Sequence, residues 1–244
     1  GGNDGEATVS VTGGVPPYTY QWNDPAAQTT ATATGLTAGS YQVTITDAQG
    51  CQVTADVTIE EPDALVLTLN GTNVDCFGGD NGTATANVTG GTEPYTYLWN
   101  DPDGQTTQTA TGLIAGTYEV VVTDANGCEI TEEITITEPD ALVLTITKED
   151  ANCSDTDDGT ATVTATGGTG TYTYLWSDGQ TTATAINLAA GNYSVTVTDE
   201  NGCQETAEVT ITQPDLIQLT VTGEDPRCFG GNDGEASVTA VGGT

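Results

Sequence analysis

The chain has 244 residues, of which 35 are acidic and 2 are basic, so its formal net charge is −33. This charge excludes nucleic acid and anionic membrane surfaces as partners, because binding phosphate needs clustered Lys and Arg and only Lys148 and Arg227 are present. The absence of His excludes a Ser-His-Asp triad, a Cys-His pair and an imidazole zinc site.

The sequence contains no Met and no long apolar run that could serve as a signal peptide or a membrane span. We therefore expect no membrane insertion. We also expect the 244 residues to be a mature piece or an interior window of a longer chain.

The chain repeats itself, which changes the interpretation of its length. The segment Gly1–Ala7 recurs as Gly230–Ala236, and further units begin at Cys76, Cys153 and Cys228. We predict three repeats and the start of a fourth, with the first repeat lacking its first Cys. The predicted bounds are 1–75, 76–152, 153–227 and 228–244.

Within one repeat the predicted elements are all strands. A small-residue strand (Ala84, Ala86, Val88) is followed by a Gly-Gly loop with Pro94 and by an aromatic strand (Tyr95, Tyr97, Trp99). The segment from Tyr118 to Asp124 then alternates apolar and polar residues, which is typical of a half-buried strand. Asp124–Gly127 is a hairpin turn signal, and another alternating strand follows it.

The pattern predicts an immunoglobulin-like sandwich, because it places about seven short strands and a central Trp in each repeat. A Tyr that opens a late strand after a Leu-x-x-Gly bend, as Tyr118 does after Leu113, is typical of a tyrosine corner. We therefore predict an all-β fold of tandem immunoglobulin-like β-sandwich modules in a linear rod.

Three motifs together resemble the SprB-type repeat of very large gliding-motility and adhesion proteins on Bacteroidetes cell surfaces. In the second repeat they are Gly90–Trp99, Gly112–Tyr118 and Val122–Cys128. The third repeat departs from the pattern because no Pro precedes Tyr172. The resemblance implies type IX export, display as long surface filaments and no catalytic residues.

The cysteines alternate in spacing, and their even number together with an exported family favours disulfides over metal or catalysis. A hairpin at Pro62-Asp63-Ala64 would make Ile59 face Leu67 and would bring each pair of cysteines 25 residues apart together. This hypothesis pairs Cys51 with Cys76, Cys128 with Cys153 and Cys203 with Cys228.

A competing hypothesis lets the chain continue straight, so that the strand after the proline begins the next sandwich. A disulfide would then cross between neighbouring modules, for example from Cys76 to Cys203. A third alternative pairs Cys76 with Cys128.

The acidic clusters permit two interpretations. Calcium is the one cofactor they point to, although none has the full calcium-loop spacing, and a solvated surface that keeps a β protein soluble is the other. The candidate calcium ligands are Glu61, Asp63, Asp80, Glu138, Asp140, Asp155, Asp157 and Asp158.

The function that we expect is structural and adhesive: a non-enzymatic stalk or filament segment of a large secreted protein at the bacterial cell surface. Its expected partners are neighbouring repeats of the same chain, other copies in a filament and surface polysaccharide. The alternative is a carbohydrate- or calcium-binding module that uses the Gly-Gly-Pro-Tyr loop.

Overall fold

The structure is a computed structural model that describes residues 2–243, and every regular element in that range is a β-strand. Among these residues, none belongs to a helix with the length and apolar character needed to cross a membrane. The chain divides into two compact units. One comprises Gly1–Thr68, Val88–Tyr97 and Val121–Thr131, and the other comprises Leu69–Asn87, Leu98–Val120 and Glu132–Thr244.

The nineteen strands repeat in groups of six. The first group contributes five strands: β1 (Gly5–Thr8), β2 (Thr19–Trp22), β3 (Thr32–Leu36), β4 (Gly39–Thr46) and β5 (Gln52–Ile59). The second contains β6 (Val66–Thr72), β7 (Gly82–Thr89), β8 (Thr96–Trp99), β9 (Thr109–Leu113), β10 (Gly116–Thr123) and β11 (Glu129–Ile136).

The third group contains β12 (Val143–Glu149), β13 (Gly159–Thr166), β14 (Thr173–Trp176), β15 (Thr184–Leu188), β16 (Gly191–Thr198) and β17 (Gln204–Ile211). The last two strands, β18 (Gln218–Glu224) and β19 (Glu235–Val241), pair in an antiparallel ladder like that of β12 and β13.

Each complete group forms two three-stranded sheets. The strand orders are β6-β7-β9 with β8-β10-β11, and β12-β13-β15 with β14-β16-β17. In the third group one buried cluster contains residues of both sheets, including Trp176, Leu188 and Val195. First, second and fourth strands therefore form one sheet and third, fifth and sixth the other, which is an immunoglobulin-like sandwich with six strands instead of the predicted seven.

The tyrosine corner is present in all three sandwiches. The Tyr118 hydroxyl donates a hydrogen bond to the backbone oxygen of Ile114 at 3.0 Å. Tyr41 and Tyr193 make the same bond to Thr37 and Ala189. The bend before the fifth strand is therefore locked in every module.

A buried Trp on the third strand fills each sandwich and keeps its polar atom satisfied. Trp99 is wholly buried, and its indole Nε1–H donates to the backbone oxygen of Thr107 at 3.0 Å. Trp22 and Trp176 bond in the same way to Thr30 and Thr182. The large ring fits because the facing positions on the second and fourth strands carry Ala, several of which have no exposed surface.

The hairpin predicted at Pro62-Asp63-Ala64 is wrong. Strand β5 pairs with β4, so that Ile59 lies opposite Gly39, and β6 joins the sheet of β7 and β9. The strand after each proline therefore begins the next sandwich, and the three segments between sandwiches are linkers of residues 60–65, 137–142 and 212–217.

The sandwiches begin at different residues from the predicted repeats. The bounds 1–75, 76–152, 153–227 and 228–244 divide the chain at cysteines, whereas β6, β12 and β18 begin ten residues before Cys76, Cys153 and Cys228. A repeat pattern defines only a period, and the strand pairing decides where each sandwich begins.

Candidate functional site: the joints between sandwiches

Three loops of each sandwich meet the linkers, and we name them by position. The entry loop connects the first and second strands and covers residues 73–81, 150–158 and 225–234. The Gly-Gly loop connects the second and third strands and covers residues 9–18, 90–95 and 167–172. The exit turn connects the fifth and sixth strands and covers residues 47–51, 124–128 and 199–203.

One aspartate organises each exit turn. Asp124 Oδ1 accepts hydrogen bonds from the amides of Asn126 at 2.9 Å and Cys128 at 2.8 Å. Its Oδ2 accepts from the amide of Thr92, in the Gly-Gly loop, at 3.0 Å. The carboxylate thereby holds the turn closed, ties it to the Gly-Gly loop and positions the cysteine. Asp47 and Asp199 make the corresponding bonds in the first and third sandwiches.

These backbone amides favour the charged form of each aspartate. Donation by Val15 and Cys51 lowers the pKa of Asp47, and donation by Cys128 lowers that of Asp124. Burial raises the pKa of Asp199, but the amides of Thr169 and Cys203 outweigh it, and its pKa is also below the ordinary range.

The end of each linker is bonded to the Gly-Gly loop of the sandwich that follows it. The Gly91 amide donates to the backbone oxygen of Asp63 at 2.6 Å. Gly168 donates to Asp140, and Gly243 to Asp215, both at 2.8 Å. The same hydrogen bond therefore recurs at all three joints.

The first glycine of each Gly-Gly pair leaves no room for a side chain. A Cβ placed on Gly167 would lie 2.0 Å from the backbone oxygen of Ala141, and φ at this glycine is +79°. A Cβ on Gly90 would lie 2.0 Å from the linker oxygen of Ala64, and one on Gly242 would lie 2.2 Å from that of Leu216. Only glycine permits this approach of two backbones.

The start of each linker is bonded to the entry loop of the sandwich before it. At the second joint the Val74 amide donates to the Thr137 oxygen at 2.9 Å, and the Thr137 amide donates to Asn73 Oδ1 at 3.0 Å. At the third joint Ala151 and Asp150 make the same two bonds with Thr212. These two linkers are thus tied to both sandwiches that they connect.

The third joint also uses one of the two basic residues. Lys148 Nζ donates to Asp150 Oδ1 at 2.8 Å and to the Thr210 oxygen at 2.6 Å. The hydrogen bond from Lys148, together with that from the Thr212 amide, lowers the pKa of Asp150 to about 2. At the second joint the neutral Asn73 has the same role and needs no cation.

A disulfide crosses the second joint. It joins Cys76, in the entry loop of the second sandwich, to Cys203, in the exit turn of the third, with a Cα–Cα distance of 5.7 Å. Asn201 Nδ2 beside it donates to the Asp75 oxygen at 3.0 Å. The bond spans 127 residues. In the chain-entropy model, a disulfide that closes a loop of this length restricts the unfolded chain and so stabilises the folded state by about 5 kcal/mol.

The three pairings that the hairpin hypothesis gave are wrong, and so is the pairing of Cys76 with Cys128. Because each linker continues forward, the two cysteines that lie 25 residues apart occupy different sandwiches. The competing hypothesis, in which Cys76 bonds to Cys203 across neighbouring modules, agrees with the structure. The other four cysteines are free and exposed: Cys51, Cys128, Cys153 and Cys228.

The eight candidate calcium ligands are spread over several loops. Glu138 Oε2 accepts from the Gly78 amide at 2.5 Å, and Asp158 accepts from Asn152 and Thr156. The Asp155 amide donates to Gln213, while Asp63 and Asp140 contribute their backbone oxygens to the joints. Glu61, Asp80 and Asp157 are exposed. Within residues 2–243, no group of three or more His, Cys, Asp or Glu is arranged to hold a metal ion.

Sequence reasoning missed the aspartates of the exit turns and the contacts of the Gly-Gly loops. The sequence pattern identifies Asp124 only as the first residue of a hairpin turn. The available signal was the recurrence of Asp, then Gly, then Cys at fixed spacing in three turns, together with a Gly-Gly pair in every repeat.

The comparisons with known proteins give one family. A family model described as the SprB repeat matches residues 1–27, 68–104, 145–181 and 220–244, which together are more than half of the chain. No curated protein matches the sequence.

Similar solved structures are tandem immunoglobulin domains. The N-terminal eight Ig domains of Down Syndrome Cell Adhesion Molecule are 11% identical with a TM-score of 0.38, and the alignment covers 92% of this chain and 39% of that one. Extracellular domains 3–5 of Drosophila OTK are 12% identical with a TM-score of 0.33, covering 87% and 92%. The TM-scores of these structures are low, so the immunoglobulin-like fold is assigned from the strand order of this chain alone.

The exit-turn aspartates predict a loss of stability in acid. The pKa values of these aspartates in the folded protein lie below the ordinary 3.8. The stability that the charged carboxylates give to the folded protein is therefore complete above pH 3.8, and it decreases as the pH falls through the folded-state pKa. Carbon-13 NMR titration of the carboxyl groups should give midpoints below 3.8 for Asp47, Asp124 and Asp199. Midpoints at or above 3.8 would contradict the hydrogen-bonded turn.

The variant Asp124→Asn should accelerate hydrogen exchange of the Cys128 amide at neutral pH, with the amides of Cys51 and Cys203 as internal controls.

The Gly-Gly contact predicts a steric effect at the second joint. In Gly167→Ala the new methyl group should displace the linker at Ala141, which lines the same cavity of about 210 Å³ as Cys76 and Cys203. The equilibrium constant for exchange of this disulfide with glutathione measures the effective concentration of the two thiols. In Gly167→Ala that effective concentration should fall at least about tenfold. Gly179→Ala is the matched control, because φ there is +91° and no atom lies within 4 Å of the added Cβ. Equal effects of the two substitutions would rule out the backbone contact as the cause.

Proposed function

Because the chain belongs to the SprB repeat family, we propose that it is a non-enzymatic structural segment of a large secreted bacterial surface protein. In this proposal the repeats form an extracellular stalk or filament for adhesion or gliding. Each repeat adds reach, and each contacts mainly its neighbours.

The observation that carries the proposal is the recurring hydrogen bond between the linker and the Gly-Gly loop. It joins Asp63 to Gly91, Asp140 to Gly168 and Asp215 to Gly243 with donor–acceptor distances of 2.6–2.8 Å. A stalk that transmits force needs joints that resist bending, and a backbone contact that recurs at all three joints contributes that resistance without a ligand.

The placement of charge supports an exposed stalk. The sixth strand of each sandwich lies at a sheet edge. On β11 that edge carries exposed Glu129, Glu132 and Glu133, and β17 carries exposed Glu205 and Glu208. Charges on an edge strand oppose pairing with another sheet, and the net charge of −33 makes neighbouring molecules repel each other.

The proposed partners are the neighbouring repeats of the same chain, other copies within a filament, and surface polysaccharide at the site of attachment. Nucleic acid forms no part of the proposal because the chain has only two basic residues, and membrane insertion forms none because the sequence contains no long apolar run.

The alternative, a carbohydrate- or calcium-binding module, gains no specific support from the Gly-Gly-Pro-Tyr loop. The Tyr95 hydroxyl donates to the Gly90 oxygen at 2.5 Å, and the amides of Gly91 and Thr92 donate to Asp63 and Asp124. These polar groups stabilise the joint and so are already engaged within the protein.

The stalk and the binding module differ in what an added repeat does. We propose inserting a second copy of residues 66–142 after residue 142, and comparing the original and extended proteins by electron microscopy and on arrays of bacterial polysaccharides. A stalk should lengthen by a constant increment with each inserted copy, and its repeats should bind no defined oligosaccharide. A particle that does not lengthen, or saturable binding that increases with repeat number, would contradict the stalk and favour the binding module.

A further inference from the structure

The observed disulfide follows a simple rule. It joins the entry-loop cysteine of one sandwich, Cys76, to the exit-turn cysteine of the next, Cys203. Of the four free cysteines, Cys51 and Cys128 lie in exit turns, and Cys153 and Cys228 lie in entry loops. For each of them the complementary cysteine, on the preceding or following sandwich, is not among the 244 residues.

The free exit-turn cysteines are held in the same way as the bonded one. The Cys203 amide donates to Asp199 Oδ1 at 2.9 Å. The amide of Cys51 donates to Asp47 at 2.9 Å, and that of Cys128 donates to Asp124 at 2.8 Å. The turn therefore holds the cysteine backbone by the same hydrogen bond whether or not the thiol is bonded.

The first joint has the same wall as the second joint. At the second joint Asp140, Gly168 and Cys203 line a cavity of about 210 Å³ together with Cys76 and Phe77. At the first joint the corresponding Asp63, Gly91 and Cys128 line a cavity together with Gly2, Asn3 and Asp4. Gly2–Asp4 correspond to Gly231–Asp233 of the entry loop that contains Cys228, so entry-loop residues of the first sandwich also face the exit turn of the second.

The residue after the entry-loop cysteine differs between repeats: Phe77 follows Cys76, Phe229 follows Cys228 and Ser154 follows Cys153. Phe77 lines the cavity beside Cys203 and is 61% exposed. Its ring contributes to the wall of the second joint, whereas the cysteine is present in all three entry loops.

We propose that Cys51, Cys128, Cys153 and Cys228 are unpaired sites of a disulfide ladder with one bond across each joint. The entry-loop cysteine of any such repeat lies beside the exit-turn cysteine of the following repeat, and the two thiols become a disulfide. The partner of Cys128 is thus an entry-loop cysteine of another repeat of this kind. This inference does not depend on the adhesive role proposed above.

The chemistry needs an external oxidant, and a small-molecule disulfide such as oxidised glutathione supplies it. One protein thiolate attacks that disulfide and releases one reduced thiol, which leaves a mixed disulfide on the protein. The second protein thiolate then displaces the other small thiol. Overall, two protein thiols lose two electrons and two protons, and one small disulfide becomes two thiols.

The test is a doubled chain in which residues 1–229 are followed directly by the complete sequence, so that the repeat continues without interruption. After refolding in a glutathione buffer, non-reduced peptide mapping should find Cys76 bonded to Cys203 in each copy. It should also find Cys153 and Cys228 of the first copy bonded to Cys51 and Cys128 of the second. The doubled chain should therefore have the same number of free thiols as the single chain, two at each end.

A matched variant separates the bonds from one another. Cys128→Ser in the second copy should free Cys228 of the first copy and leave the other three bonds unchanged. The ladder would be overturned by disulfides within one repeat, or by junction thiols that stay free under conditions in which Cys76 and Cys203 are bonded.

A second measurement uses the single chain and does not depend on folding of the doubled one. A synthetic peptide of residues 73–82, which contains Cys76 and Phe77, is added with oxidised glutathione. The mixed disulfides with the peptide should form on Cys51 and Cys128 at least about tenfold more than on Cys153 and Cys228, and a peptide of the same composition in scrambled order should lose the preference. Equal labelling of the four thiols would overturn the proposal.

Discussion

One backbone hydrogen bond decides the arrangement of this protein: the bond from the second glycine of a Gly-Gly loop to a linker carbonyl. Because Gly91 reaches Asp63, and Gly168 reaches Asp140, the chain passes forward into a new sandwich after each proline. That path places the entry loop of one sandwich beside the exit turn of the next. The contact of Gly167 and Gly168 with the linker therefore determines which cysteine lies beside Cys76, although both glycines are far from Cys76 and Cys203 in sequence.

The repeat, the all-β fold and the tyrosine corner could be predicted from the sequence because each is a local pattern. The path after the proline could not. Residues such as Ile59 and Leu67 alternate with polar neighbours whether their strands pair in a hairpin or lie in successive sandwiches, so their spacing agrees with both. The contact that distinguishes the two arrangements joins Gly91 to Asp63, and nothing local to either residue indicates it. The predicted strand number was too high by one per repeat for a related reason, since short strands are defined by their partners.

The roles of the acidic residues could not be distinguished from the sequence either. Asp124 and Asp80 are both exposed-loop aspartates by sequence, but Asp124 lies beneath three amides and holds two loops together, whereas Asp80 is exposed. Composition describes the solubility and repulsion of the whole chain, and it does not reveal which few carboxylates build the joints. The exit turn that Asp124 organises recurs at Asp47 and Asp199, so the same carboxylate contact supports the backbones of Cys51, Cys128 and Cys203.

The central claim, that each linker is bonded to the sandwich after it, is tested most directly by amide hydrogen exchange at single-residue resolution. The account predicts that the amides of Gly91 and Gly168 exchange slowly, within about tenfold of the strand amides beside them, because opening them requires the joint to open. Exchange of these two amides at the rate of an unprotected loop, while the strands on both sides stay protected, would show flexible linkers and contradict the account.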